Sequence, residues 1–252
     1  MYVYTRKNSK PIIMAKTIFH AANKRGHANH GWLDAHHSFS FAGWYDPSKI
    51  HFGALRVLND DIVAGGEGFG KHPHDNMEII TIVLDGTLEH KDSMGHAQQI
   101  VPGEVQVMSA GKGVTHSEYN PDPKNKVNLL QTWIFPKEKG VQPSYDQKTF
   151  LAENRQNQLQ TLVSPIDNND PGLKIHQDAW IYRTSLEPGK IVSSILHTAN
   201  HGAYIFVIDG SIKVGEQELN KRDAIGISET ESFEITAIQK SDVIIFEVPM
   251  TF

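Results

Sequence analysis

Cysteine is missing from all 252 residues. Its absence removes disulfides, thiolate zinc sites, iron–sulfur clusters and a cysteine nucleophile from consideration. Basic charge is also short: 24 Lys and Arg stand against 29 Asp and Glu, a formal net charge of -5, with no basic stripe. Direct nucleic-acid binding is therefore not expected. No apolar run approaches the roughly 18 residues that a membrane helix needs. The opening MYVYTRKNSKPIIM carries basic residues with no apolar segment behind it, unlike a secretory signal. The expectation is a cytoplasmic protein that does not enter the membrane.

What the chain does have is β-forming sequence. Hydrophobic residues make up 39% of it, enough for a sizeable core at this length. FGALRVL (52–58), MEIITIVL (77–84), TLEHKD (87–92), VQVMS (105–109) and VNLLQTWIF (127–135) are rich in β-branched and aromatic residues. Asp85-Gly86 and Pro102-Gly103 mark turns between them. Short strands between Gly and Pro turns predict a sandwich or barrel, not βαβ units. From 137 to 170 the chain turns polar and rich in Gln and Asn, with Pro143 and Pro165, and reads as a linker. Within it FLAENRQNQL (150–159) has the composition of a short helix. Beyond it the first half is echoed: IVLDGTLEH (82–90) resembles FVIDGSIKV (206–214), the Asp-Gly pairs lying 124 residues apart. Two similar β domains are expected, 16–136 and 171–252, with residues 1–15 as a leader.

Histidine is the residue in excess. Of 14, eleven lie at or before His116 and none after His201. In GEGFGKHPHDNMEIITIVLDG (66–86), His72 and His74 are two apart, so on a strand both rings leave one face. His116 and Glu118 in GKGVTHSEYN (111–120) repeat that spacing. A lone H-x-H in a β protein is usually two exposed histidines; a second such pair on a later strand changes the reading. Three imidazoles and one carboxylate suit iron(II), manganese, cobalt, nickel or zinc and leave positions open on a six-coordinate ion. His20, His27, His30, His36 and His37 lack a same-face spacing and read as surface or structural residues.

Gly66, His72, His74, Glu78 and Gly86 resemble a first cupin motif, and Gly103, Gly113, His116 and Asn120 a second. HSFSFAGWYDP (37–47), FGALRVLNDD (52–61), HPHDNMEIITIVLDGTLEHKDSMG (72–95), PGEVQVMSAGKGVTHSEYN (102–120) and KIHQDAWIY (174–182) resemble pirin segments, in pirin order. The resemblance covers roughly 16–250 and is nearest to bacterial pirins with quercetin 2,3-dioxygenase activity. It implies an all-β bicupin, two cupin domains face to face with few short helices. It also implies one divalent transition metal held by His72, His74, His116 and Glu118. Iron(II) comes first, with manganese, cobalt, nickel, copper or zinc as alternatives. Glu78 is the second choice for the carboxylate, since 72, 74 and 78 share a face on a regular strand.

The 124-residue offset sets Leu196, Thr198 and Gly202 opposite His72, His74 and Glu78, so the second domain is expected to hold no metal. His197 and His201 read as surface residues. The implied chemistry is oxidative opening of a flavonol with O2, in a monomer, with Glu118 as ligand and proton acceptor. Phe39, Phe41, Trp44 and Phe52 are candidate pocket walls. The resemblance implies equally a non-enzymatic, metal- or redox-responsive protein that binds a regulatory partner. A cupin sugar isomerase ranks last, because the segments flanking the ligands offer only Lys71 for a phosphate.

Overall fold

A computed structural model describes residues 15–252; all but the last residue of the expected leader lies outside the described residues. Four antiparallel-dominated sheets make up two similar halves. In the first half a seven-stranded sheet runs in the order Ser144–Thr149, Glu104–Ser109, Glu78–Asp85, Val127–Ile134, Leu55–Val63, Leu33–His37, Gly26–Asn29. Facing it is a sheet of four: Gly68–His74, Val114–Tyr119, Leu88–Asp92, Ala97–Ile100. The second half repeats this, with Lys16–His20, Ala224–Ser228, His201–Asp209, Ser241–Pro249, Trp180–Leu186, Gln160–Pro165 and Leu173–Ile175 in its large sheet. Its small sheet is Ile191–Ile195, Ser232–Ala237, Ser211–Val214, Gln217–Asn220. The bicupin expectation holds. Gly86 and Gly210 both sit at positive φ, +80° and +84°, where a Cβ would strike the backbone of the neighbouring strand. The two Asp-Gly turns are thus the same turn used twice.

Each large sheet is buried on both faces, which explains its near-continuous apolar strands. In Glu78–Asp85, Ile80 and Ile82 point to the other large sheet, where Tyr204, Phe206, Ile244 and Phe246 meet them. Ile79 and Val83 point instead into their own cup. The period of two sorts one strand between two cores. Phe39 and Phe52 belong to the shared core between the halves; of the expected pocket walls, only Phe41 lines the cavity described below. Trp44 packs over Gly26.

Two expectations need correction. The stretch 137–170 is not a solvated connector: Ser144–Thr149 pairs with Glu104–Ser109, and Gln160–Pro165 pairs with Trp180–Leu186. Polar composition misled because Ser144–Thr149 is an edge strand whose side chains are mostly solvated. The helix expected at 150–159 is one 3-10 turn, Ala152–Arg155. The chain also crosses halves at its start. Lys16–His20 pairs with Ala224–Ser228, so the first described strand closes the second half's sheet. Among the described residues no helix is long and apolar enough to cross a membrane.

Candidate metal centre

The central strand of the site is Val114–Tyr119. Gly68–His74 pairs on one side of it, His116 opposite His72, and Leu88–Asp92 on the other, His116 opposite Asp92 and Glu118 opposite His90. A bulge between His116 and Glu118 shifts the first pairing. The rings of His72, His74 and His116 converge, with centroids 4.4 to 4.9 Å apart and one nitrogen from each within 4.8 Å of the others. Glu118 is fully buried and forms a second cluster, at the same spacing, with His116 and His90. Glu78 lies elsewhere: Ser109 Oγ donates to its Oε2 at 2.6 Å, and it joins neither cluster.

The surroundings orient these groups. His72 Nδ1 donates to the Gly70 carbonyl at 2.7 Å, leaving Nε2 as the free lone pair. His116 Nδ1 lies 3.4 Å from His90 Nδ1, and His90 Nε2 lies 3.2 Å from Asp92 Oδ2. With Asp92 accepting from His90, His90 Nδ1 becomes an acceptor for His116 Nδ1–H, a tautomer assigned from the network. His116 Nε2 is then a buried lone pair with no partner among the described residues. A divalent ion would fit it. Burial works against charge on Asp92, yet hydrogen bonds from His96, His90 and Met94 hold its carboxyl below the usual range.

The other face of the cup carries a polar row inside an apolar sheet. His37, Asn59, Gln131, Thr81 and Gln106 lie side by side in register across five strands. Gln131 Nε2 donates to both oxygens of Glu118, at 3.1 and 3.0 Å, and Thr81 Oγ1 to one at 3.4 Å. Glu118 is thereby held from the opposite sheet. Burial pulls His74 down to about 4, aided by the neighbouring His72, and lowers His116 further, aided by His72, His74 and His90. Those two rings are neutral at neutral pH, as metal ligands must be. Burial also pushes the Glu118 carboxyl up, against the opposing effects of His90 and the Gln131 hydrogen bond. A cation beside it reverses that shift and restores the carboxylate.

Beside this cluster opens a cavity of about 220 Å³. Leu33, Ala35, Phe41, Phe69 and Trp133 form its apolar walls; His72, His74, Glu118, Gln131, Asn59 and Asp61 supply the polar groups. Trp133 meets His74 edge-on at 4.9 Å and Phe41 at 5.3 Å.

His90 and Asp92 were not singled out in the sequence, although H-x-D on a strand carries the same spacing signal as H-x-H. His27 and His36, read there as surface or structural residues, stack across paired strands at 4.4 Å beside Asp34, with His27 exposed and the other two half-buried. The second half's cup is filled by Trp180, Leu186, Val192, Phe233 and Ile235, and its strand Ser232–Ala237 offers no histidine. His201 is corrected from a surface residue: it is buried and bonds the buried Glu247 at 2.9 Å. His197 is an exposed residue as expected, though it bonds the same carboxylate at 3.0 Å and stacks on Trp180.

The comparisons agree with this architecture. The Pirin family model matches residues 18–134, and the model of the quercetinase C-terminal cupin domain matches 161–248. A quercetin 2,3-dioxygenase of Escherichia coli is 45% identical over 90% of this chain and 96% of its own. A pirin-like protein of Caulobacter vibrioides is 40% identical over 89% and 96%. The crystal structure of the E. coli bacterial pirin YhhW in complex with nickel(II) superposes with a TM-score of 0.87 at 42% identity, covering 93% of this chain and 99% of that one. With both halves matched and the histidine cup in the first of them, the chain belongs to the pirin family.

Proposed function

We propose that this protein is a metal-dependent dioxygenase that opens the heterocyclic ring of a flavonol such as quercetin. Its metal is one divalent transition ion, iron(II) first, held by His72, His74, His116 and Glu118. The observation that carries the reading is the orphaned His116 Nε2, which faces two further imidazoles at the edge of an apolar-walled cavity. A chain 45% identical that is named for this activity supports the substrate class.

When bound, a divalent cation lowers the pKa of a coordinated hydroxyl and polarises a neighbouring carbonyl, as the 3-hydroxyl and 4-keto groups of a flavonol require. Glu118 accepts the 3-hydroxyl proton at a carboxylate oxygen, with Gln131 and Thr81 steadying it. Phe41, Phe69 and Trp133 hold the aromatic rings and exclude water. Both atoms of O2 enter the products: the two ring bonds at carbon 3 break, that carbon leaves as carbon monoxide, and the remainder is an ester of the two aromatic acids. Every proposed ligand comes from one chain, so a monomer suffices.

The test pairs metal analysis with gas exchange. Iron-loaded protein given quercetin should consume O2 and release carbon monoxide in equal amounts. The His72→Ala/His116→Ala variant should lose nearly all metal and both signals. A metal-loaded wild type that takes up no O2 with any flavonol rules the reading out.

A further inference from the structure

One carboxyl in the cavity has no part in this chemistry. Asp61 is 4% exposed and lines the cavity together with Glu118, His72 and His74. Its backbone carbonyl accepts from Asn128, but among the described residues its carboxyl accepts nothing, and Oδ1 is sealed from solvent. Its neighbours in register, Ala35 and Leu129, are apolar and have nothing to offer. The adjacent Asp60 provides the contrast. Pointing to the opposite face, it is bound by Arg25, Arg222 and Asn128. The same side chain one position apart is fully partnered on the structural face and bare on the cavity face. A buried carboxyl without a partner weakens a fold, so its partner is to be sought in what fills the cavity.

We propose that Asp61 is the specificity residue of this cavity, its carboxyl hydrogen-bonding a hydroxyl carried on an aromatic ring of the flavonol, apart from the oxygens that reach the metal. The inference rests on the flavonol reading above and deepens it, since it names what selects among flavonols. Burial, reinforced by the charges of Asp60 and Glu118, pushes Asp61 up to about 8 in the metal-free protein. A neutral carboxyl both donates and accepts and an ionised one accepts, so either form bonds a phenolic hydroxyl. A site built to bond a hydroxyl discriminates against the analogue lacking it, because its buried polar group is then left bare.

The experiment compares wild type, Asp61→Leu and Asp61→Asn, each loaded with nickel(II) and free of oxygen, by flavonol absorbance titration and thermal melting. The probes are quercetin and 3-hydroxyflavone, which keeps the 3-hydroxyl and 4-keto groups but has no other hydroxyl. Asp61→Leu should weaken quercetin binding about tenfold or more, leave 3-hydroxyflavone within about twofold, keep one nickel per chain and melt higher than wild type. Asp61→Asn should retain most of the quercetin affinity, because an amide also donates and accepts. Equal losses for both flavonols, or unchanged quercetin binding with a lower melting temperature, overturn the proposal and leave Asp61 a structural residue. A wild type that binds neither flavonol removes the flavonol reading itself, a failure seen before any variant is made.

Discussion

Glu118 and Glu78 are both buried carboxyls, yet only one is set up for a metal. Glu118 sits in a cluster with His116 and His90 and is gripped by Gln131. Glu78 instead takes one hydrogen bond from Ser109 at Oε2, has its Oε1 buried and unpaired among the described residues, and joins no histidine cluster. Glu118→Ala should therefore weaken metal binding by at least about tenfold, in the range seen when metal-site contacts are removed, and Glu78→Ala should leave it intact. Calorimetric titration with nickel(II) decides it; the opposite order would return the ligand set to the general cupin pattern. Asp61 gives a pH signature in the metal-free protein. Burial pushes its carboxyl from the ordinary 3.8 up to about 8 in the folded chain. Between those values the unfolded chain has released a proton that the folded chain keeps, so stability declines as pH rises through that window. The histidines held low by burial, His74 and His116 among them, act in the opposite sense below about pH 6.5. The readout is therefore the difference between two proteins: in urea unfolding, wild type should lose more stability than Asp61→Asn as pH rises toward 8. Parity paired His72 with His74 and His116 with Glu118 in the sequence, because spacing on a strand fixes which side chains share a face, and the pirin resemblance put Glu118 ahead of Glu78. Asp61, Asn59, Gln131 and Gln106 were not legible: which strands stand side by side is a long-range fact that no local window contains.

Strand pairing is what turns two short motifs into one site. His72 and His74 reach His116 only because Gly68–His74 and Val114–Tyr119 lie in contact, and Gly68 sets how close they come. A Cβ at Gly68 would fall inside contact distance of the Glu118 carbonyl and the Tyr119 Cα, both backbone atoms that cannot turn aside. Gly68→Ala should therefore spread the two strands, cost about 1–3 kcal/mol as overpacking does, and lower metal affinity though no ligand is touched. Equilibrium unfolding and metal titration of the variant check both effects; unchanged affinity would mean that the strands are not held in register by this contact. At this scale the strands of each cup were readable from β-branched alternation, and the repeated Asp-Gly turn announced the duplication. The edges were not. Lys16–His20 and Ser144–Thr149 are edge strands with one neighbour each, and mostly exposed; the sequence placed the first in the wrong half and the second in a linker.

Those edges make the halves interdependent, and the polar contacts between them strengthen the link. Ala22 N–H donates to Asp223 Oδ1 at 2.7 Å, just after the strand that closes the second half's sheet. Arg222, from the second half, bonds Asp60 and Asn128 of the first, and both Arg222 and Arg25 lie over the Phe206 ring. Around this network the two large sheets share one apolar core, from Leu58 and Ile80 to Tyr204 and Phe246. Neither half can open without exposing the other's apolar face. A ligand that binds only the folded state stabilises by RT ln(1 + [L]/Kd), and in a cooperative unit that gain belongs to every element. Metal bound in the first cup should therefore raise the melting temperature of the whole chain in one transition. Chelation should lower it while the β-type circular dichroism remains, since these strands and cores do not depend on a metal as a small zinc domain does. Hydrogen exchange supplies the sharper readout. Amides of His201–Asp209, a strand of the half without ligands, should exchange more slowly when nickel(II) is added, by a factor matching that for Glu78–Asp85. Protection confined to the first half would show that the shared core does not couple the two, and that the cups unfold independently.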